Sequence, residues 1–221
     1  MSGTGKKGAP TGPDANMLRD LLREAGIETP REAVEALAVH AEEMLRWNRS
    51  IRLTAIVDPV DVAVKHVADS LALLRFAPFP GRLLDFGSGA GYPGIPLALF
   101  LPGTRIVLLE ASAKKCAFLS RVRGMLRLEN VKVVHGRISP GETLPIGRFD
   151  DIVTRATASP AEVVPLLSPY LAEGGRMLLM TGPGGGSGGG IPGTVTRVER
   201  FRLPKGLGDR EIVEVTFPEK D

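Results

Sequence analysis

The most chemically suggestive stretch of the chain is Leu83-Leu84-Asp85-Phe86-Gly87-Ser88-Gly89-Ala90-Gly91, an apolar run closing on an acid and then on alternating glycines. It reads as a strand running into a turn, whose glycines let the backbone bend sharply and let a ligand approach without meeting a Cβ. Gly89, Gly91 and Gly94 also satisfy the G-x-G-x-x-G spacing of dinucleotide sites. The glycines alone therefore fit two cofactors. A pyrophosphate needs backbone N–H donors and a positive helix end, but Pro93 and Pro96 delete two donors there and Asp85 adds a negative charge. S-adenosylmethionine carries an ammonium and a sulfonium and no phosphate, so an aspartate beside it is favourable. Glu110 closes the next apolar run, 19 residues beyond Gly91. A carboxylate so placed accepts both hydroxyls of a ribose, which supports an adenosine site in either cofactor class.

Other reactive types are sparse. His40, His66, His135 and the single Cys116 are scattered, with no spacing suited to a metal, and none is expected. Cys116 lies on a helix after the second strand, where an ordinary structural thiol is expected rather than a nucleophile. Thr154-Arg155-Ala156-Thr157 follows the fourth strand and lacks the Asn/Asp-Pro-Pro-aromatic pattern used on exocyclic amines. Arg155 at that strand's end would face the site, the alternative being a structural ion pair. His66 and Asp69 stand one helical turn apart and could pair, while Trp47 reads as core. Between Arg105 and Lys132 the bases Arg105, Lys114, Lys115, Arg121, Arg123, Arg127 and Lys132 face only Glu110 and Glu129. That imbalance suits an anionic partner such as a nucleic acid, or a solvated helix face, and Lys114, Lys115, Arg121 and Arg123 are the candidate contacts to such a partner.

These residues need elements to position them. Residues 1–16, rich in Gly, Pro and Lys, read as a disordered tail. Residues 17–80 read as an N-terminal helical cover. Its first helix spans 17–25 and stops at Gly26. A second carries Thr29 as N-cap, Pro30 at the first position and Glu32 three residues after the cap, with Val34, Leu37, Ala41 and Leu45 on one side. A third begins at Asp58-Pro59 with a stripe of Val64, Val67, Leu71 and Leu74. From 81 to 221 the period changes. Strands are expected at 82–86, 105–110, 131–135, 151–154 and 176–180, and helices at 96–101, 113–126 and 160–171. Ser159, Pro160 and Glu162 mark the last helix start, and Pro165 predicts a break after one turn. Such alternation implies a mostly parallel sheet with helices on both faces. Residues 184–190 read as a flexible loop. Strands at 194–203 and 210–217 would then pair as an antiparallel C-terminal edge hairpin. This α/β pattern is that of a class I (Rossmann-like) methyltransferase.

Composition sets the outer limits. With 221 residues, 43% of them hydrophobic, the chain can bury one ordinary core with a short appendage. Its apolar runs are too short to cross a bilayer, and no apolar stretch follows the first lysines as in a secretory signal. One cysteine fits a reducing compartment, so a cytoplasmic location is expected. The net charge of +3 is mild.

The stretch Asp85 to Leu97, DFGSGAGYPGIPL, closely resembles the signature of the bacterial small-subunit ribosomal RNA methyltransferase G family, formerly glucose-inhibited division protein B. The extension beyond the glycines is its most specific part. The resemblance continues at Trp47-Asn48 with Leu53-Thr54, at His66 to Ser70, at Leu126 to Val131, at Gly136-Arg137-Ile138 and at Thr154-Arg155-Ala156, so it covers most of the chain. It implies methyl transfer from S-adenosyl-L-methionine to N7 of a guanine in 16S ribosomal RNA, leaving S-adenosyl-L-homocysteine, with that RNA or the small ribosomal subunit as partner. It further implies that Gly87 and Tyr92 line the methionine and ribose side, that Glu110 holds the ribose, and that Ile138 and Ser139 flank the adenine. Arg155 would close the site near the methyl or the RNA. Ser139 replaces the family's usual Glu, Arg52 its Asn, and Thr181 a common Lys. Guanine N7 offers a free lone pair, so the reaction would need alignment rather than a general base or metal. The competing readings are a methyltransferase for another RNA or a small molecule, and an NAD-binding oxidoreductase.

Overall fold

A computed structural model describes residues 12–155, 159–185 and 190–218. Most of the expected tail, Ala156-Thr157 and most of the expected 184–190 loop lie outside these residues.

The helical layer comes first. Helix α1 (Ala15–Glu24) is capped by Asp14, whose carboxylate accepts from the Met17 N–H at 2.8 Å. The expected tail is therefore too long by two residues, because Asp14 supplies a cap that the apolar stripe alone did not reveal. Helix α2 (Arg31–Asn48) starts directly after Pro30 with no side-chain cap. Thr29 does not serve as one, since Pro30 is still extended at ψ 145° and is itself the boundary residue. Val34, Leu37, Ala41 and Leu45 are buried as the stripe requires. Residues 59–76 form one continuous rod of changing pitch: α3 (Pro59–Val62), a π-helical segment (Ala63–Ala68), α4 (Asp69–Leu71) and a 3-10 turn (Ala72–Phe76). The widened π turn had no signal in the 3.6-residue stripe. Such turns occur mostly as single insertions, often beside functional sites.

Strands β1 (Arg82–Phe86), β2 (Arg105–Glu110), β3 (Val131–His135), β4 (Phe149–Arg155) and β5 (Leu171–Thr181) alternate with α5 (Gly94–Phe100), α6 (Ala113–Met125) and α7 (Pro160–Leu167). Strands β6 (Thr194–Arg202) and β7 (Asp209–Thr216) close the sheet. The sheet order is β3-β2-β1-β4-β5-β7-β6, parallel through β5 and antiparallel thereafter. The hairpin thus sits at the edge, with β7 inserted beside β5.

Two expectations about α7 needed correction. Pro165 does not break the helix after one turn, which runs on to Leu167. Pro165 and Ala161, the residue whose carbonyl loses its donor, are both exposed, so that carbonyl is open to solvent and the helix tolerates the loss. The helix also ends before 171, at a 3-10 turn around Pro169, and β5 takes up Leu171 onward. The capping box of Ser159 and Glu162 is present.

Both faces of the sheet are covered. One cluster packs the helical layer (Leu18, Leu37, Val67) against Leu83, Leu108, Val153 and Leu178. The other joins Leu84, Ile152, Leu179 and Val213 to Val163 and Leu167 of α7. Parallel strands buried on both faces read as the continuous apolar runs seen in the sequence.

Candidate functional site

The carboxyl ends of β1, β2, β4 and β5 and the start of β7 meet at one edge of the sheet, where ligands bind in open parallel sheets. The turn after β1 occupies its centre. Gly87, Gly89 and Gly91 have φ of +74°, +55° and +85°, the left-handed region that glycine enters without strain. Gly94 is required for a different reason: a Cβ there would run into the side chains of Leu108 and Asp85.

The backbone donors at the start of α5 are all accounted for. The Gly94 N–H donates to the Asp85 carboxylate at 3.0 Å and the Ile95 N–H to the Gly91 carbonyl at 2.8 Å, while Pro93 and Pro96 have none. A pyrophosphate would find no free N–H on this turn of helix, and a carboxylate already in its place. Asp85 is only 1% exposed, and burial pushes its carboxyl up to about 7. It therefore lies behind the turn as its internal clasp and lines neither cavity described below.

Two cavities flank the turn and share Gly87 as their common wall. One, about 250 Å³, is lined by Phe86, Leu109, Glu110, Gly136, Ile138 and Val163 among others. The other, about 400 Å³, is lined by Ser88, Gly89, Tyr92, His66, Arg155 and Met180 with residues of the helical layer. Glu110 closes the smaller cavity at the turn. Its carboxylate accepts from the Gly89 N–H at 2.9 Å and the Ser112 N–H at 2.8 Å, which fixes both oxygens while leaving lone pairs on each. A narrow mostly apolar compartment with one oriented carboxylate suits an adenosine, and the wider one suits a charged chain and an incoming group.

The larger cavity has an aromatic floor. The Tyr92 ring is stacked between His40 at 4.4 Å and His66 at 4.8 Å between centroids. His40 Nε2 donates to the Ala90 carbonyl at 2.8 Å, tying the glycine turn to α2. Burial lowers His40 to about 4, and burial together with the Arg155 guanidinium lowers His66 to about 3, so both rings are neutral near pH 7. Arg155 donates to the Lys65 carbonyl at 3.0 Å and to His66 Nδ1 at 3.3 Å, and pairs with Asp69 at 3.5 Å. An accepting Nδ1 leaves the proton on Nε2, which faces Thr54 Oγ1 at 2.9 Å. Asp69 also faces Arg210 at 3.6 Å.

Gly87, Gly89, Tyr92, Glu110, Ile138 and Arg155 all line one cavity or the other. Gly91 supports the turn from beneath, where a Cβ would strike Ile95 and His40. Ser139 lies beyond the lining, its carbonyl accepting from the Glu142 N–H. His66 and Asp69 do not pair with each other; both meet Arg155, which makes the ion pair and also lines the cavity. Of the RNA candidates, Arg121 is bound to the Glu43 carboxylate together with Arg46 and Trp47 Nε1. Lys114 and Arg123 are exposed and Lys115 half-buried on α6, outside both cavities. Sequence reasoning missed His40, Thr54, Lys65 and Arg210. His40 and Lys65 carry no motif of their own, Thr54 stands in the Leu53-Thr54 stretch of the resemblance without a role, and Arg210 reaches the site only because β7 runs antiparallel. Among the described residues no group of three or more His, Cys, Asp or Glu is placed to hold a metal, and no helix is long and apolar enough to cross a membrane.

Comparison with known proteins agrees with this geometry. A ribosomal RNA small subunit methyltransferase G of Geobacter sulfurreducens is 35% identical over 212 residues, covering 91% of this chain and 96% of that protein. One from an Anaeromyxobacter species is 39% identical over 191 residues, covering 82% and 87%. Among solved structures, a precorrin-6y C5,15-methyltransferase from Geobacter metallireducens superposes with a TM-score of 0.52 at 15% identity, over 76% of this chain and 92% of that one, which shows the fold alone. The model of the rRNA small subunit methyltransferase G family matches residues 33–184, which hold the glycine turn, Glu110 and Arg155, and the chain belongs to that family.

Proposed function

We propose that the protein transfers a methyl group from S-adenosyl-L-methionine to N7 of a guanine in 16S ribosomal RNA. The observation that carries the cofactor assignment is the turn itself, with no N–H left free at the start of α5 and a cavity on each side of Gly87. The activity in the relatives' names, methylation of small-subunit ribosomal RNA, carries the substrate. When bound, the donor supplies a sulfonium methyl, and guanine N7 brings its own lone pair, so no proton has to be removed before attack.

The chain's residues then have positioning tasks. Glu110 would hold the ribose, with Ile138 against the adenine. Gly87 and Gly89 admit the donor close to the backbone. Arg155, pinned by the Lys65 carbonyl, His66 and Asp69, presents a fixed positive wall to the cavity that receives the nucleotide. Tyr92, buried between two neutral imidazoles, gives that cavity a rigid floor. Fixed geometry of this kind lowers the barrier through proximity and orientation. Either free 16S RNA or the assembled small subunit is the expected partner.

The test is to incubate the protein with labelled methyl donor and either small subunits or free 16S RNA lacking the modification, and to map the label. Label at one guanine N7 is expected. Absence of label from 16S RNA in both substrates, with donor binding intact, would overturn the substrate assignment.

A further inference from the structure

Beside the larger cavity lies a separate open hollow of about 540 Å³, formed by the loop that leaves α2 and lined by Asn48, Arg49, Ser50, Arg52, Thr54 and Ala55 among others. Thr54 is common to both, so the hollow and the transfer cavity are neighbours across one side chain. Its lining contains two arginines and no carboxylate. Arg49 and Arg52 are exposed, and no ion pair holds either one among the described residues. The cations of the transfer cavity differ. Lys65 is tied to Asp61, and Arg155 and Arg210 share Asp69.

The loop bearing the free pair is fixed. Asn48 Oδ1 accepts from the Leu53 and Thr54 N–H groups at 2.8 and 3.0 Å, and Asn48 Nδ2 donates to the Thr54 carbonyl at 2.9 Å. Thr54 is joined to His66 and accepts from the Ile56 N–H at 3.0 Å. The backbone of Arg52 is thereby anchored to the floor of the transfer cavity. Guanidinium groups held on a rigid loop, unneutralised and next to a nucleotide-sized cavity, suit the oxygens of a phosphodiester, which they meet in forked geometry.

We infer that this hollow seats the RNA backbone immediately flanking the target guanosine, with Arg49 and Arg52 as its phosphate contacts. The inference rests on the RNA reading above. It places the substrate's strand over the α2 end of the site, next to the transfer cavity, rather than along α6, whose basic residues lie outside both cavities. Contacts of this kind position the strand without reading its sequence.

The experiment compares the full-length protein with Arg49→Gln, Arg52→Gln and the double variant, using unmodified 16S RNA and small subunits at several salt concentrations. Arg19→Gln, a cation on α1 outside both cavities, controls for general loss of charge. Each single variant is expected to raise the KM for RNA about tenfold, as for loss of a charge-assisted hydrogen bond. The dependence of log kcat/KM on log salt should become shallower by about one for each arginine removed. Affinity for S-adenosylhomocysteine and the melting temperature should stay unchanged, and Arg52→Lys should recover part of the loss. An unchanged KM in the double variant, or an equal loss in Arg19→Gln, overturns the inference while leaving the methyltransferase reading intact. A wild-type protein that labels no RNA removes that reading, and the inference with it.

Discussion

Asp85 and His40 show how single buried groups hold the glycine turn, and their titrations oppose each other. The folded state raises Asp85 from 3.8 to about 7, so it prefers the protonated acid. That contribution is full below pH 3.8 and is lost as pH rises through 7. Asp85→Asn keeps an acceptor for the Gly94 N–H and removes the titration. Its stability relative to wild type should therefore fall as pH drops from 8 to 5, which urea unfolding across that range would measure; a constant difference would refute the assignment. His40 behaves the other way. Its folded value of about 4, below the ordinary 6.5, contributes stability above pH 6.5 that is lost as pH falls towards 4. His40→Phe keeps the stack on Tyr92 but leaves the Ala90 carbonyl without its donor, at a cost of about 1–3 kcal/mol near pH 7. That difference should shrink on acidification, and the KM for the methyl donor should rise more than kcat falls.

At the scale of elements, the glycine turn and the rod over residues 59–76 act as a pair. Gly94→Ala would force a methyl into Leu108 and Asp85, with an expected loss of about 1–3 kcal/mol and weaker donor binding by calorimetry. In the rod, the π segment carries Lys65 and His66 to the cavity and offers the Lys65 carbonyl to Arg155. The loop before it depends on one side chain. Asn48→Ala should release the Leu53 and Thr54 amides, seen as faster hydrogen exchange there, while exchange in β1 and β2 stays slow; unchanged protection of Leu53 and Thr54 would show that the loop is held some other way.

For the whole molecule, Arg176 is a second tie between sheet and helical layer, at the opposite end of the strands from Arg155. It pairs with Asp151 at 2.7 Å and Glu214 at 3.2 Å and donates to the carbonyls of Phe76 and Pro78. Asp151 is almost fully buried, so Arg176→Met strands a carboxylate and should cost about 3–5 kcal/mol by urea unfolding. Part of that loss should return at low pH as Asp151 protonates. A variant as stable as wild type would mean that another group neutralises Asp151.

Strands β1, β2 and β3 were legible to the residue because each is a short apolar run bounded by breakers, and the capping box at Ser159 marked the start of α7. Residues near Asp85 were legible for the same reason: donors deleted by proline and a carboxylate at a strand end have local chemical meaning. The edges were not. Asp14's cap is local, a carboxylate three residues before the amide it accepts from, but the apolar stripe does not mark it. The π turn and the survival of α7 past Pro165 depend on exposure and packing that no local pattern encodes. Sequence alone thus determined the alternation of strand and helix, the family, and the cofactor that the glycine turn admits. Only the tertiary structure decided that Asp85 clasps the turn from behind, that His40 and His66 sandwich Tyr92, and that Arg210 shares Asp69 with Arg155. Those contacts join α2, the rod and β7, segments far apart in the chain, and distance in sequence carries no record of which side chains burial will bring together.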